Sequence, residues 1–207
     1  MPKENAKRRA ILETAYRLFL QQGYDKTSMS EITAQVGGSK ATLYNHFASK
    51  EALFVACMTA AIDQHVAGAL ASLVTDRGDM AAVLRRFGQS FQQFVRTSDM
   101  VAVRRQMIAE ASRLGIGKLF FEKICAIKDR VAEYLGQCMA AGLLRQVDPR
   151  VAADHLRGLL EAQILEPLLL QAWDETLDET TMSQMADQAI EVFLRAYAPD
   201  ERHVPRA

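Results

Sequence analysis

Residues 37–51, GGSKATLYNHFASKE, concentrate side chains that form hydrogen bonds and ion pairs. Within positions 40–46 lie a Lys, a Thr, a Tyr, an Asn and a His. An amide can bind base edges in the major groove of DNA, and hydroxyl and ammonium groups bind phosphates. The residue types of this segment therefore suit contacts between one face of a helix and a nucleic acid.

The apolar residues of the same segment predict the helix. Leu43 and Phe47 lie four residues apart, so they share one helix face, which packs inward. The opposite face then carries the remaining small and polar side chains, namely Ala41, Thr42 and Asn45, with Tyr44 and His46 beside them.

Neighbouring helices would hold this helix in place. Residues 28–31 read S-M-S-E, a capping box that opens a second helix, and the pair of glycines at 37–38 closes it. Ser39 then caps the third helix. A first helix is predicted over residues 7–22, with Gly23 as its left-handed cap. Two short helices joined by a glycine-containing turn form a helix-turn-helix pattern, and their capped N-termini offer N–H groups to phosphate.

The charge distribution favours a polyanion at this end of the chain. The first 50 residues contain eight Lys or Arg and four Asp or Glu, a net charge of +4, and the other 157 residues carry −4. A polar face on a short helix is also what a simple solvated surface looks like. Spacing and charge alone leave both interpretations open.

Residues 9–55 resemble the DNA-binding domain of the TetR family of bacterial transcriptional regulators. The resemblance rests on the pattern A-x-x-L-F-x-x-x-G-Y in the first helix, T-S-M-S-E-I in the second, and S-K-A-T-L-Y-x-H-F followed by S-K-E-x-L. It implies a ligand-responsive, homodimeric regulator, most often a repressor that a small molecule releases from a palindromic operator. It also implies that Tyr44 and Lys50 bind phosphates and that the outward positions of the third helix read bases.

The DNA-binding residues that we expect lie at the starts of the second, third and fourth helices and on the outer face of the third: Thr27, Ser28, Ser39, Lys40, Ala41, Thr42, Tyr44, Asn45, His46 and Lys50. Two positions depart from the family pattern. The turn reads Val36-Gly37-Gly38 where Ala-Gly-Val is usual, and Thr33 replaces a common Ala. The second glycine removes an apolar side chain, so the turn should be less rigid.

The rest of the chain predicts an all-α fold of about nine helices, with an N-terminal three-helix domain and a larger helical bundle. Apolar periodicity places the longer helices at 50–75, 80–97, 100–113, 117–141, 149–173 and 182–198. The predicted domains are residues 1–52, which bind DNA, and residues 53–207, which the resemblance assigns to ligand binding and dimerisation.

Two late helices are candidates for the dimer interface. The 149–173 segment has two apolar stripes, although a helix packed only on its own domain needs one. Two such helices from each subunit would form a four-helix interface, and an extended monomer core is the alternative. The expected interface residues are Leu156, Leu160, Ile164, Leu168, Met185, Val192 and Phe193.

An effector pocket is expected among the middle helices, where aromatic, Met and isolated acidic side chains occur. The candidates are Phe87, Phe91, Met107, Glu110, Phe121, Glu161 and Trp173. Each of these residues also fits plain core packing. The two acids could pair with a neighbouring Arg or with a cationic or hydroxylated ligand.

Other classes of protein find less support in the sequence. The four histidines have no Glu three residues before them, and there is no H-E-x-x-H, Walker A or G-x-S-x-G motif, so we expect no enzyme, cofactor or metal. The three scattered cysteines and the lack of a long apolar segment fit a cytoplasmic protein without membrane contact. A helical-bundle enzyme and a protein-interaction module with weak DNA binding remain the alternatives.

Overall fold

The computed structural model describes residues 2–75, 79–113, 115–172 and 178–199. These residues form ten α-helices and no strand, which confirms the all-α prediction. In chain order the helices are α1 Pro2–Lys26, α2 Met29–Val36, α3 Lys40–His46, α4 Lys50–Thr75, α5 Met80–Arg96, α6 Ser98–Ala109, α7 Ile116–Ala140, α8 Pro149–Glu161, α9 Leu165–Leu170 and α10 Glu179–Ala196.

The long helix predicted at 149–173 is interrupted, so that prediction is wrong in its length. Residues 162–164 form turns between α8 and α9, and the Ile164 amide donates to Glu161 O at 3.1 Å. Pro167 explains the break, because proline lacks an amide hydrogen and its ring clashes with the carbonyl four residues earlier. It is tolerated here because it falls in the first turn of α9.

Two other helix ends differ from expectation. Gly23 has a φ of +82° and a ψ of 171°, so it interrupts α1 in an extended glycine conformation and not as a left-handed cap, and one more helical turn follows it. At the other end of the chain, α10 begins at Glu179 because Asp178 caps it, accepting from the Thr181 amide at 2.8 Å.

The chain folds into two compact units. Unit 1 comprises residues 1–64 and 98–123, and unit 2 comprises residues 65–97 and 124–207. This grouping differs from the predicted domains 1–52 and 53–207, because α6 packs on α1 within unit 1. The structure therefore places the junction between α6 and α7 beside the N-terminal helices.

The interior of unit 2 is an apolar cluster in which α5, α8 and α10 meet. Gly88 on α5 permits the close approach, since a Cβ at this position would lie 3.0 Å from Leu160 Cδ2 and 3.2 Å from Ile190 Cγ1. Leu156, Leu160 and Phe193 belong to this cluster. Their side chains are buried by their own unit, so they are core residues and not the surface contacts that we expected.

The other expected interface residues divide between the interior and the surface. Ile164 is buried in a small cluster with Val95 and Met182, and Leu168 and Met185 pack against that cluster while partly buried. Val192 is 51% exposed on α10. The stripe that contains Leu156, Leu160 and Ile164 is thus explained by packing within unit 2.

None of the described helices is by itself long and apolar enough to cross a membrane. The two parts of α4, Lys50–Asp63 and Val66–Leu73, are long and apolar enough only when they are taken together. The core helix of a soluble protein can have the same length and composition.

Candidate nucleic-acid interface

Side-chain caps begin the two helices of the helix-turn-helix. Ser28 Oγ accepts from the Glu31 amide at 3.1 Å at the start of α2. Ser39 Oγ accepts from the Thr42 amide at 3.1 Å at the start of α3. An N-cap of this type stabilises a helix by about 0.5–2 kcal/mol. The caps fix where each helix starts, and so they fix which side chains face outward.

The outer face of α3 is polar and accessible. Leu43 and Phe47 are buried and hold the helix on the unit. Tyr44 is 49% exposed, although a large aromatic side chain is usually covered. Lys40, Ala41 and Asn45 are exposed as well, while Thr42 and His46 are partly buried. The arrangement offers an amide, a phenol hydroxyl and an ammonium group on one surface.

Thr27 does not belong to this surface. Its side chain is only 1% exposed, and its hydroxyl donates to Gly23 O at 2.8 Å. The hydroxyl therefore closes the turn that follows the Gly23 interruption and cannot reach a phosphate. A buried Thr and an exposed Thr look the same in a single sequence, which is why the family pattern alone did not separate them.

Lys50 lies at the start of α4, where Ser49 Oγ caps the helix by accepting from the Ala52 amide at 3.1 Å. Its ammonium group is 4.2 Å from the centroid of the Tyr24 ring and donates to Asp25 O at 3.4 Å. Partial burial lowers the pKa of this ammonium, opposed by the nearby Asp25. To bind a phosphate, the Lys50 ammonium group has to move away from the Tyr24 ring.

The turn between α2 and α3 contains a contact that the sequence did not predict. Gly37 and Gly38 have positive φ values of +70° and +135°. The Lys7 ammonium donates to Val36 O at 3.3 Å and to Gly37 O. A Cβ built at Gly38 would lie 3.5 Å from the Lys7 nitrogen, beside a cavity of about 10 Å³ that Ile11 and Leu43 also line. The Lys7 side chain thus lies next to the place where a side chain at position 38 would be.

Two further contacts hold the helix-turn-helix on α1. The Arg8 guanidinium lies 5.2 Å from the centroid of the Phe47 ring, and Arg17 donates to Gln35 Oε1 at 2.9 Å. Much of the basic charge near the N-terminus is therefore engaged within the protein, and only part of it remains for a polyanion.

The expected effector residues belong to both units. Phe87 and Phe91 lie in unit 2, where Glu161 is buried and pairs with Arg157 at 3.2 Å. Met107 is buried in unit 1, Glu110 there pairs with Arg113 at 2.5 Å, Phe121 is 59% exposed, and Trp173 lies outside the described residues.

Unit 2 offers two concave places. An apolar cavity of about 30 Å³ is lined by Phe87, Phe91 and Leu160, with Lys128 and Arg157 beside them. That volume holds a water or two and is roughly ten times smaller than ordinary ligand pockets. A groove of about 440 Å³ runs between α5 and α10, and its lining includes Gln92, Gln93 and Arg96.

The buried amide of Gln92 lines this groove. Its nitrogen donates to Leu160 O at 2.9 Å, at the end of α8 where the helix breaks. Its oxygen is buried without a hydrogen-bond partner. The donor side of the amide therefore stabilises the break, and the acceptor side is available to a donor that enters the groove.

Two family models match the chain. The model for bacterial regulatory proteins of the tetR family covers residues 11–57, which include the helix-turn-helix. The model for the C-terminal domain of AefR-like transcriptional repressors covers residues 82–199, more than half of the 207 residues. Together the two models cover the helix-turn-helix and most of the larger helical part of the chain.

Similar proteins include two of known structure. A TetR-family regulator from Mesorhizobium loti has a TM-score of 0.85 and 27% identity, covering 94% of this chain and 98% of that one. The flavonoid-responsive regulator FrrA has a TM-score of 0.74 and 30% identity, covering 98% and 100%. The transcriptional activator FasR of Mycolicibacterium smegmatis is 33% identical over 95 residues, 46% of this chain and 42% of FasR. The chain spans less than half the length of the curated relatives it matches.

Replacing Lys7 by Met tests the contact at the turn, because it keeps the aliphatic stem and removes the ammonium group. We expect a free energy of unfolding lower by about 1 kcal/mol, since two carbonyls lose a charged donor. We also expect weaker DNA binding with an unchanged salt dependence, because no phosphate contact is lost. Urea unfolding and anisotropy titrations at several salt concentrations measure both effects.

Arg9→Met is the matched control for this experiment, because Arg9 is an exposed cation on the same helix. It should leave the free energy of unfolding unchanged. A salt dependence that becomes shallower by about one ion for Lys7→Met would show that Lys7 binds a phosphate and would overturn its role at the turn.

Proposed function

Because the chain belongs to the TetR family of bacterial transcriptional regulators, we propose that it is a homodimeric, ligand-responsive regulator that represses transcription from a palindromic operator. Members of this family are DNA-binding regulators and not enzymes. The dimer, the effector, the operator and the negative sign of regulation are our proposals. The AefR-like description of residues 82–199 supports a repressor, while FasR is an activator.

The observation that carries the proposal is the outer face of α3. Leu43 and Phe47 anchor the helix, and Tyr44 and Asn45 are exposed on the side away from the core. We propose that α3 enters the major groove, that Asn45 contacts base edges, and that Lys40 and Tyr44 contact phosphates. Ser28 and Ser39 would add the free amides of two capped helix N-termini.

Separate variants distinguish base reading from phosphate binding. Lys40→Ala should weaken binding to every DNA sequence and make the salt dependence shallower by about one ion. Asn45→Ala should cost about 1–3 kcal/mol on the preferred sequence and less on others, because only specific DNA satisfies the amide. Fluorescence anisotropy with DNA from upstream of the gene for this chain, and with scrambled DNA, measures both.

The control for these variants is Arg85→Ala, which removes an exposed cation from α5 in unit 2. It should bind DNA like the unmodified protein. If Lys40→Ala and Asn45→Ala also bind like the unmodified protein, α3 is not the DNA-reading helix.

We propose that the exposed faces of α8 and α10 join two chains. Gly158 is exposed, and a Cβ at its position would meet nothing within 4 Å in its own chain. Val151 lies about two helical turns before Gly158 on α8 and is 46% exposed, and Val192 is exposed on α10. A small residue flanked by exposed apolar side chains allows helices of two subunits to approach closely. A dimer would then present two α3 helices to successive major grooves about 34–36 Å apart.

Val192→Arg tests this interface. An unpaired cation buried between subunits costs several kcal/mol, so the dimerisation constant should weaken by more than about tenfold. Light scattering during gel filtration measures the mass in solution, and DNA affinity should fall with dimer content. Ile108→Arg, at an exposed apolar residue of α6, is the control and should stay dimeric. A Val192→Arg dimer of unchanged stability would contradict the proposed interface.

For the effector we propose the apolar cavity of unit 2, because it combines Phe87 and Phe91 with two cationic side chains at its lining. A ligand would push the lining apart, since the cavity is small. The ligand can release DNA only by binding the released arrangement more tightly than the DNA-bound one.

Mass spectrometry of the purified protein for a retained small molecule tests this site. Phe91→Trp should fill the cavity, abolish the retained mass and leave DNA binding intact. Gln93→Trp instead fills the groove between α5 and α10 and should leave the retained mass in place. The reverse pattern would assign the effector to the groove.

A further inference from the structure

A cluster of charged side chains surrounds Tyr24 in unit 1. Arg113, in the junction between α6 and α7, forms a two-point ion pair with Asp25 at the end of α1. Its Nη1 lies 2.8 Å from Oδ1, and its Nη2 donates to Oδ2 at 2.9 Å. The Nε of the same guanidinium lies 2.5 Å from Glu110 Oε2. The planar fork of Arg suits such a paired contact with a carboxylate.

Tyr24 connects this ion pair to the start of α4. The centroid of its ring lies 5.4 Å from Arg113 Cζ and 4.2 Å from the Lys50 ammonium. Its hydroxyl donates to Glu51 Oε1 at 2.6 Å. This hydrogen bond lowers the pKa of Glu51, so the carboxylate is ionised at neutral pH. Arg113 and Lys50 therefore share the Tyr24 ring, and both lie near the carboxylates of Asp25 and Glu110.

Arg113 offsets part of the negative charge around Lys50. Asp25, Glu51 and Glu110 are the acids that act on the Lys50 ammonium, and Arg113 is the cation that opposes them. Without Arg113, three carboxylates would face one ammonium group. Asp25 would then have no guanidinium partner, and its carboxylate would compete with a DNA phosphate for Lys50.

We propose that Arg113 is a positioning residue for DNA binding, which neutralises Asp25 and so leaves Lys50 free to bind a backbone phosphate. This inference rests on the proposed DNA-binding function and on the phosphate contact that the family resemblance implies for Lys50. Arg113 itself does not touch DNA in this proposal. It acts through the Asp25 carboxylate, 88 residues away in sequence.

The contact contributes little as a plain structural element. The Arg113 and Asp25 side chains are 44% and 69% exposed, and exposed ion pairs contribute only about 0–1 kcal/mol to folding. An unpaired Asp25 carboxylate would instead repel a phosphate bound to Lys50 and would compete with it for the ammonium group. The loss of Arg113 should therefore change DNA affinity more than it changes stability.

Backbone hydrogen bonds lie on both sides of Arg113 in the described part of the junction. The Gly117 amide donates to Ala111 O at 3.1 Å, and the Ile116 amide donates to Arg113 O at 2.8 Å. Arg113 thus lies inside a hydrogen-bonded turn that links α6 to α7. A displacement of this turn would carry the guanidinium away from Asp25, so the position of the junction would set the charge beside Lys50.

A double-mutant cycle between Arg113 and Asp25 tests the proposal. The proteins are full-length Arg113→Gln, Asp25→Asn and the double variant, titrated with DNA from upstream of the gene by fluorescence anisotropy at several salt concentrations. Arg113→Gln should weaken binding by on the order of tenfold near 0.1 M salt, the effect of about one phosphate contact, and make the salt dependence shallower by about one ion. Asp25→Asn should bind as tightly as the unmodified protein or more tightly.

The double variant should return to within about twofold of the unmodified protein, because a neutral side chain at position 25 no longer needs Arg113. In a Lys50→Met background the Arg113→Gln effect should vanish. Arg113→Lys, which keeps the charge without the fork, should fall between the two extremes. Lys118→Gln, at an exposed cation of α7 in the same unit, is the control for simple charge loss and should bind normally.

An unchanged affinity for Arg113→Gln would overturn the proposal. A double variant that binds as weakly as Arg113→Gln alone would also overturn it, because that result indicates a structural role for Arg113. In that case the urea midpoints of both variants should be lower than that of the unmodified protein. Lys40→Ala and Asn45→Ala are measured alongside. If they weaken binding while the cycle is additive, only the role of Arg113 fails, and if they have no effect, the DNA-binding face itself is wrong.

Discussion

The packing of Tyr24 against Phe19 and Phe54 is the interaction on which the N-terminal unit depends. The Phe19 and Phe54 rings meet edge to face at 5.0 Å, and Tyr24 meets Phe54 in the same manner at 5.1 Å. Such pairs are worth about 0.5–1.5 kcal/mol beyond the area they bury. They join α1 to α4, and they also place the Tyr24 hydroxyl and the face of its ring where Glu51 and Lys50 use them. Core packing and the charge pattern at the DNA-binding end thus share one side chain.

The predictable part of the structure is local in sequence. The caps at Ser28 and Ser39, the inward pair Leu43 and Phe47, and the polar face between them each follow from residues three or four apart. Helix geometry converts such spacings directly into positions on a face. The all-α fold and the existence of the helix-turn-helix could therefore be derived before any coordinates.

The unpredicted part depends on long-range contacts or on burial. Lys7 reaches the turn 30 residues later, and Arg113 reaches Asp25 across 88 residues. Neither contact has a signal in periodicity. Leu156 and Phe193 were expected at a surface because apolar stripes show that a face is covered but not by which chain. Pro167 was the one available signal for the break after α8, and proline chemistry alone would have found it.

Gly117 limits which residues the start of α7 can accept. A Cβ at this position would lie 2.7 Å from the carbonyl oxygen of Ala111, closer than real side chains approach a backbone atom. Every substitution there has to move the turn that holds Arg113, whatever its size or polarity. We therefore expect glycine at position 117 in related chains that keep the Arg113–Asp25 pair. In chains that lose the pair, other residues can occur at position 117.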